Sequence, residues 1–350
     1  MIMKKVFSFW FLFLLLTSVT GLSQQYKAGV IAFYNLENLF DTENDPNIRD
    51  DEYTPEGSKS WTQERYEKKL DNMAEVISRL GEDELGDRSG PSILGMAEIE
   101  NRRVLEDLVA NKKLESMNYG IVHYDSPDKR GIDVCMLYRK DVFEVTSSRA
   151  VPFTVEDKED FKSRDILVVT GNYDGEKMDF IVCHWPSRYG GEKKSRPMRI
   201  AAAKLTKHLA DSIQNANNSE AKIFIMGDFN DDPTNHSIKE YLNTSDDKKD
   251  LDNDELYNPY LTLYKKGIGT LAYRDKWNLF DQIILSQELL EDDGEYRFIK
   301  AKVYNKKWLM VQDGRYKGYP KRTHVGSNYQ GGYSDHFPVY VIIGKKIDDD

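Results

Sequence analysis

Cysteine is scarce in this chain of 350 residues, which contains only Cys135 and Cys183. Both lie in apolar, strand-like runs, so we predict two buried free thiols, although an exported protein could pair them in a disulfide. Cys183 stands beside His184, but nothing around it supplies the rest of a cysteine-nucleophile site. The chain also lacks an HExxH sequence and a CxxC pair, so a zinc site is disfavoured.

Long apolar runs are missing too, apart from one near the start. Residues 6–16 (VFSFWFLFLLL) follow Lys4 and Lys5 and precede small residues, an arrangement typical of a secretory signal peptide. The run is short for a membrane span, so we predict a cleaved signal peptide at 1–23; an uncleaved anchor is the alternative. No cysteine follows the run, which disfavours a lipid-modified N-terminus. We expect an exported protein, periplasmic or secreted, with no stable membrane insertion after cleavage.

An excess of positive charge is likewise absent, since the formal net charge is −10. A polyanionic substrate would therefore have to meet local basic patches or a metal ion. No internal repeat of fixed period occurs, and 39% hydrophobic residues are enough for one sizeable core. We predict a monomer with one catalytic domain over residues 24–345 and an acidic tail at 346–350.

Residues 223–230 (IFIMGDFN) form the most informative stretch of the sequence. An apolar run closed by a glycine predicts a buried strand that delivers Asp228 and Asn230 at its end. Asp232 suits a helix N-cap and Pro233 the first helical position, so a helix-capping turn is the alternative explanation. That alternative does not explain why a carboxylate and an amide lie two residues apart, where both can face one way.

Strands outnumber helices in the rest of the chain, and hairpin turns at Lys140–Asp141 and Asp174–Gly175 predict mainly antiparallel pairing. The predicted strands are 28–34, 92–97, 119–124, 132–139, 142–148, 165–173, 178–184, 279–285, 297–304 and 334–343. We predict four helices. The first runs from a Ser60–Gln63 capping box to Gly81 and the second covers 102–110, while the third begins at about Pro197 and the fourth at Pro233. Residues 305–333 have no clean periodicity and predict a long functional loop.

Polar residues recur where the predicted strands end. They are Asn35, Glu98, His184, Asp228 with Asn230, and Asp335 with His336, and Asp281 lies within another strand. One shared cleft explains such a set better than chance, although His184 alone could be a core histidine and Asp281 alone a buried hydrogen-bonding partner. Oxygen ligands suit Mg²⁺, histidines and asparagine can neutralise charge developing on phosphorus, and a carboxylate can deprotonate water. The residue types therefore fit metal-assisted phosphoryl transfer.

Six short motifs at these positions resemble the endonuclease/exonuclease/phosphatase superfamily, which includes deoxyribonuclease-type nucleases, sphingomyelinases and inositol-polyphosphate phosphatases. The motifs are YNLEN at 34–38, AEIEN at 97–101, CHWPSR at 183–188, GDFN at 227–230, FDQI at 280–283 and SDHFPV at 334–339. They follow the order of the family and span nearly the whole mature chain. The resemblance implies an α/β fold, a four-layer sandwich of two mainly antiparallel β-sheets flanked by helices.

The resemblance also implies roles for these residues. Glu98 would bind Mg²⁺, or Mn²⁺ in its place, with Asn35 and Asp335 near it, and Glu100 competes with Glu98 as the ligand. Asp228 would position the attacking water, Asn230 would contact the phosphate, His184 and His336 would stabilise the transition state, and Asp281 would orient His336. Arg130, in RGID at 130–133, falls where some members place a phosphate-contacting residue. Arg188, from the basic cluster that follows His184, is a second candidate for substrate contact.

We therefore expect an exported, magnesium-dependent phosphoesterase that hydrolyses a phosphodiester, with a nuclease activity as the leading candidate. Nucleic acid is favoured because cationic residues over 306–322 are interleaved with Trp308, Tyr316 and Tyr319. A phosphomonoesterase or lipid phosphodiesterase of the same fold is one alternative. A non-catalytic binding module is another, and the retention of Glu98 and the other site residues argues against it.

Overall fold

The computed structural model of the protein describes residues 26–86, 89–155, 158 and 160–347. The predicted signal peptide and the last residues of the predicted tail lie outside this part of the chain. The strands are β1 Tyr26–Leu39, β2 Ile93–Ile99, β3 Tyr119–His123, β4 Asp133–Arg139, β5 Phe143–Val151, β6 Ile166–Tyr173, β7 Glu176–His184, β8 Ile223–Asp228, β9 Thr244–Ser245, β10 Leu256–Tyr257, β11 Leu271–Tyr273, β12 Lys276–Asn278, β13 Asp281–Leu285, β14 Arg297–Val303, β15 His324–Val325, β16 Asn328–Tyr329 and β17 Val339–Lys346.

Two large sheets contain most of these strands. Sheet A has the order β14-β17-β1-β2-β4-β3, and sheet B has the order β5-β6-β7-β8-β13-β10-β9. Most neighbours are antiparallel, but β1 pairs with β2, β7 with β8, and β10 with β9 in parallel. The predicted α/β sandwich of two mainly antiparallel sheets is confirmed.

Helices cover the outer faces of the sheets. The α-helices are α1 Gln63–Ser78, α2 Glu82–Leu85, α3 Arg102–Val109, α4 Glu192–Ala216 and α5 Pro259–Lys265. Short 3₁₀ turns occupy Asp51–Tyr53, Glu115–Met117, Gln287–Leu290 and Lys307–Leu309, and a π-helical turn occupies Ser237–Tyr241. No helix in the described ranges combines the length and the apolar character needed to cross a membrane.

Strand β8 shows how the layers are held together. Successive side chains of a strand point to opposite faces. Phe224 and Met226 accordingly join the core between the two sheets, whereas Ile223 and Ile225 pack in a second core with α4. The sheets approach closely at Gly95 of β2, where a Cβ atom would lie 2.5 Å from the Met226 sulfur. The burial of β8 on both faces fixes the position of its polar end.

Three predicted helix starts were wrong. The capping box fails because Ser60 has a left-handed φ of 47° and α1 begins after Thr62, which makes no side-chain cap. No helix starts at Pro233, because Asp232 accepts a hydrogen bond from the Leu279 backbone N–H at 2.8 Å and holds a turn there instead. Helix α4 begins at Glu192, before Pro197.

The predicted hairpin at Lys140–Asp141 was wrong for a different reason. The strands on either side of it, β4 and β5, belong to different sheets, so this turn carries the chain from sheet A to sheet B. The hairpin at Asp174–Gly175 is confirmed, with Tyr173 opposite Glu176. The last strand begins only at Val339, because Phe337 turns aside to donate its backbone N–H to Thr270.

The predicted free thiols are confirmed, since Cys135 and Cys183 are both buried and unpaired. Burial raises the pKa of Cys183 to about 12, which excludes it as a thiolate nucleophile at neutral pH. The stretch predicted as a long loop contains the 3₁₀ turn Lys307–Leu309, the short β15–β16 hairpin and a bridge between Met310 and Pro320, and is otherwise irregular.

Candidate active site

The carboxylate of Asp228 lies at the centre of the polar strand ends. On one side β7 places His184 opposite it, and on the other side β13 places Asp281 opposite it. Asn35, from sheet A, donates its amide N–H to Asp228 Oδ2 at 3.1 Å. The same oxygen lies 3.6 Å from His184 Nε2 and 4.0 Å from His336 Nε2. Residues from both sheets thus meet within one cleft.

His336 and Asp281 form a buried pair. The ring nitrogen Nδ1 of His336 lies 2.7 Å from Asp281 Oδ2, and the backbone N–H of His336 donates to Ser334 Oγ. Burial alone would lower the pKa of His336, but Asp281, Asp228 and Asp335 raise it well above its ordinary value. The imidazole is therefore protonated at neutral pH, with Nε2 directed towards Asp228.

His184, in contrast, is neutral. Burial, followed by the positive charges of Arg164 and Arg130, lowers the pKa of His184 well below its ordinary value. Its Nδ1 has no hydrogen-bond partner among the described residues, and its Nε2 lies 4.0 Å from Glu98 Oε1. A neutral imidazole with Nε2 facing the cleft can donate a hydrogen bond to a ligand oxygen without adding charge.

Glu98 faces the cleft and Glu100 does not. Glu98 sits at an irregularity of β2, with a left-handed φ of 63°, and its Oε2 accepts the Asn38 backbone N–H at 3.0 Å. Glu100 turns the other way and accepts the Asp41 backbone N–H at 2.6 Å. Of these two carboxylates, Glu98 is therefore the one placed beside His184, and its role as metal ligand stays a prediction.

Backbone strain is concentrated around this cleft. Besides Glu98, the non-glycine residues Glu37, Asn38 and Asn230 have φ values of 53°, 55° and 51°. Such left-handed conformations are uncommon for residues with a Cβ atom and cluster at functional sites. At β1 the strained turn lets the Glu37 backbone N–H bond to Asn35 Oδ1 at 2.9 Å, which fixes the amide orientation.

Glu37 is a site residue that the sequence reasoning missed. Its carboxylate accepts the backbone N–H of Thr323 at 2.6 Å and lies 3.8 Å from Arg322 Nε. Arg322 also pairs with Asp335. Burial and the nearby Asp335 raise the pKa of Glu37 to about 7. The available signal was its position two residues after Asn35, at the same strand end.

Lys69 is a second missed residue. Its side chain is buried on α1, and its ammonium donates to Tyr333 O at 2.6 Å and Thr323 Oγ1 at 2.7 Å. Its charge lowers the pKa values of Glu37 and Asp335 against their burial. The sequence offered one indication of this role, because Lys69 follows Tyr66 by three residues and so lies on the apolar side of the predicted helix.

The remaining predicted residues lie around the rim. Asn230 donates its side-chain N–H to Trp185 O at 3.0 Å and its backbone N–H to Asp228 Oδ1. Arg188 is held by Asn230 O at 2.9 Å and by Asp231 Oδ1 at 3.0 Å, so it supports the Asn230 turn. Arg130 is exposed, and its positive charge contributes to lowering the pKa of His184.

Arg164 was not anticipated. Its buried guanidinium donates to the backbone oxygen of Trp185, the residue after His184, at 2.7 Å. It also donates to Asp128 Oδ2 at 3.1 Å. Nothing in its sequence context distinguished it. The contact fixes the segment that carries His184 and places a positive charge behind the ring.

Oxygen donors of the kind that a hard divalent cation prefers border the cleft. Glu98, Asp335, Glu37 and the Asn35 amide lie on β1, β2 and the segment before β17, where Glu98 accepts the Asn38 N–H and Arg322 lies near both Glu37 and Asp335. Carboxylate and amide oxygens are the ligands preferred by Mg²⁺ and Mn²⁺. Asp228, Asp281 and His336 lie close enough to one another to share an ion, but His336 Nδ1 is already bonded to Asp281.

The chain is similar to known proteins over nearly its whole length. A model described as the endonuclease/exonuclease/phosphatase family matches residues 30–345. No curated protein matches the chain. A solved endonuclease/exonuclease/phosphatase family protein from Bacteroides thetaiotaomicron is 18% identical, over 93% of this chain and 100% of that chain, with a TM-score of 0.55.

Two further solved structures share the fold. A mannosyl-6-phosphatase from Bacteroides thetaiotaomicron is 19% identical, over 90% of this chain and 99% of that chain, with a TM-score of 0.53. TDP2 from D. rerio, complexed with a single-strand DNA product, is 13% identical, over 90% of this chain and 98% of that chain, with a TM-score of 0.53.

Proposed function

The chain belongs to the endonuclease/exonuclease/phosphatase family and is, like its members, a metal-dependent phosphoester hydrolase; we propose that its substrate is a phosphodiester and that it acts as a nuclease. The observation that carries the proposal is one cleft in which Asp228 lies between a protonated and a neutral histidine. Such a cleft provides a base for water and donors for a phosphoryl group in the same place.

Asp228 acts as the general base in this proposal. Burial raises the pKa of Asp228 to about 7, so the carboxylate can take a proton from water near neutral pH. Asn35 binds one of its oxygens and the Asn230 backbone N–H binds the other, which fixes the plane of the carboxylate. The water attacks phosphorus while its proton passes to Asp228, the P–O bond to the departing ester oxygen breaks, and the released alkoxide takes a proton from solvent.

The histidines bind the phosphoryl oxygens. Protonated His336, held by Asp281, neutralises negative charge that develops as the water attacks. Neutral His184 donates from Nε2, which lies beyond hydrogen-bond length from Asp228 at 3.6 Å and is therefore free for a ligand. Asn230 and Arg130 border the same space and are assigned to substrate contact.

Glu98, Asp335 and Asn35 would hold the metal ion, with Glu37 beside them. Bound Mg²⁺, or Mn²⁺ in its place, supplies positive charge to the phosphate oxygens. Lys69 and Arg322 offset part of the remaining negative charge of these carboxylates.

Nucleic acid is the leading substrate of this proposal. The solved relatives include one enzyme named for a sugar phosphate and one bound to DNA, so the choice rests on this chain. Of its cationic and aromatic residues over 306–322, Arg315, Tyr316, Tyr319, Lys321 and Arg322 line one groove that reaches Asp335. Arg322 pairs with Asp335. A phosphomonoesterase or lipid phosphodiesterase would lack a use for that extended surface.

A substrate screen tests the function. We expect Mg²⁺-dependent cleavage of DNA or RNA and of a chromogenic phosphodiester, with little hydrolysis of the matching monoester and none in chelator. Glu98→Gln should lower turnover by about 10²-fold or more and weaken Mn²⁺ binding in calorimetry, whereas Glu100→Gln should leave both nearly unchanged. Monoesterase activity alone, or equal effects of the two substitutions, would contradict the proposal.

Export is proposed from residues 1–23. N-terminal sequencing of protein recovered outside the cytoplasm should begin near Gln24. A recovered chain that still begins at Met1 would contradict cleavage.

A further inference from the structure

A groove of about 800 Å³ opens beside Asp335. One wall is the β11–β12 hairpin, and the other is the irregular segment 310–322. Because Asp335 and Arg322 line its inner end, the groove is continuous with the candidate active site. Its size is that of a ligand site rather than of a packing defect.

A row of aromatic rings leads from the site into this groove. Phe337, next to His336, stacks on Trp277 with ring centroids 6.1 Å apart. Trp277 lies 5.8 Å from Tyr319, and Tyr319 lies 5.5 Å from Tyr316. Phe337 is buried whereas Tyr316 is 50% exposed, so the row ends in a ring with a face open to solvent.

The opposite wall presents a second open ring, that of Tyr273, which is 63% exposed. It immediately precedes a tight turn in which Arg274 and Asp275 both have left-handed φ values of 50° and 63°. The two walls are tied together, because the Tyr319 hydroxyl donates to Asp275 Oδ1 at 2.7 Å. Tyr273 is therefore displayed on a fixed hairpin rather than on a free loop.

Cations accompany both open rings. The Arg274 guanidinium lies 5.2 Å from the Tyr273 ring centre, and the Arg315 guanidinium lies 5.6 Å from that of Tyr316. Lys321 and Arg322 continue the positive charge towards Asp335. Asp275, Asp313 and Asp335 also line the groove, so its four cations leave a small positive excess. In a chain with a net charge of −10, this excess complements an anionic ligand that also has flat faces.

We propose that the groove is a subsite for unpaired bases of a single-stranded nucleic acid, on one side of the scissile phosphate. Tyr273 and Tyr316 stack on bases, while Arg315 and Lys321 contact phosphates. Base faces are available for such stacking only where the strand is unpaired, because bases in a duplex stack on one another. The inference rests on the proposed function and specifies its substrate.

Two binding measurements test the subsite without turnover. In an Asp228→Asn background with Mg²⁺, fluorescence anisotropy should show a labelled single-stranded 12-mer binding at least tenfold more tightly than the same sequence as a blunt duplex. Tyr273→Ala with Tyr316→Ala should weaken the single strand at least tenfold, because stacking contributes several-fold to a hundredfold per base. The double Phe variant should retain binding, since the ring remains.

Tyr241→Ala is the matched control. Tyr241 is 37% exposed and also carries a cation, the Lys204 ammonium 5.1 Å from its ring, but lies outside the groove. It should bind the single strand like the parent. A 2-aminopurine in the strand should change fluorescence on binding the parent and not the double Ala variant.

Equal binding of duplex and single strand, or equal losses in the groove and control variants with unchanged melting temperatures, would overturn the subsite. Failure of the parent enzyme to hydrolyse any phosphodiester would instead contradict the proposed function, and the binding result would still be readable.

Discussion

At the scale of residues, the cleft holds two histidines in different charge states although both are buried. Asp281 accounts for the difference, because it contacts His336 and not His184. Arg164 acts in the other direction by placing positive charge behind His184. A protein interior can thus prepare one imidazole as a charge and the other as a neutral donor.

The His336–Asp281 pair should behave as one unit. His336→Ala should lower kcat by roughly 10²- to 10⁴-fold, and Asp281→Ala by a smaller factor. The double variant should lose less than the product of the two factors, because removing either partner disables the pair. Steady-state kinetics on a chromogenic phosphodiester measure this, and exposed His236→Ala serves as the control. Strictly multiplicative losses would contradict the pairing.

Glu100 should make stability depend on pH. Burial and neighbouring carboxylates raise the pKa of Glu100 from 4.5 to about 8. The folded protein therefore binds more protons than the unfolded chain between these values, and the free energy of unfolding falls as pH rises from 4.5 through 8.

Glu100→Gln should remove that decline and stabilise the protein at pH 9 by roughly 2–4 kcal/mol. The new amide can still accept from Asp41 and can donate to Asp50, whose Oδ1 is otherwise unsatisfied. Urea unfolding at pH 5, 7 and 9 measures the effect, with exposed Glu106→Gln as the control. An unchanged slope between pH 5 and 9 would count against the assignment.

At the scale of elements, the strand ends were predictable and the connections were not. The buried runs ending in Asp228 and His184 are visible in the sequence because a strand buried on both faces must be apolar until it reaches its polar end. Whether a turn such as Lys140–Asp141 joins paired strands or crosses between sheets depends on distant partners. Local turn residues do not encode that choice.

The same limit explains which site residues sequence reasoning missed. Lys69 lies on a helix and Arg164 lies in an irregular segment, and both reach the cleft only through tertiary packing. Glu37 was visible in the motif but had no role until Thr323 and Arg322 were placed beside it. Residues that touch the site from another element leave no local pattern.

Lys69 should act as a clamp on the segment that carries Asp335 and His336. Lys69→Met should destabilise the fold by roughly 1–3 kcal/mol, because Tyr333 O and Thr323 Oγ1 lose a buried donor. It should also expose residues 305–335 to limited proteolysis. Lys68→Met is the matched control, since Lys68 lies on the same helix with its side chain 55% exposed. Equal protease sensitivity of the two variants would exclude the clamp.

At the scale of the whole molecule, the two sheets are assembled differently along the chain. All strands of sheet B lie between β5 and β13, whereas sheet A combines β1–β4 with β14 and β17. Strand β17 lies between β14 and β1, with Tyr26 opposite Lys346. Sheet A is therefore complete only when β17 has paired with both β14 and β1.

Removing β17 should prevent folding. A chain that ends at residue 338 should be recovered unfolded or aggregated, because β1 and β14 would both present unpaired edges. A chain that ends at residue 347 should melt within about 2 °C of the full-length protein, since surface changes away from packed features have small effects. Circular dichroism and thermal melting distinguish the two; cooperative melting of the shorter chain would contradict the expectation.

The placement of β17 also determines when a newly made chain becomes active. Asp335 and His336 directly precede β17, so they are synthesised after nearly all of the domain, and the pairing of β17 with β1 joins the two ends of the domain. Contacts so distant in sequence form slowly, after nearer ones. A chain threaded through a secretion channel in order would complete its cleft only on the far side. A phosphoester hydrolase built in this order has no complete cleft until its last strand has paired.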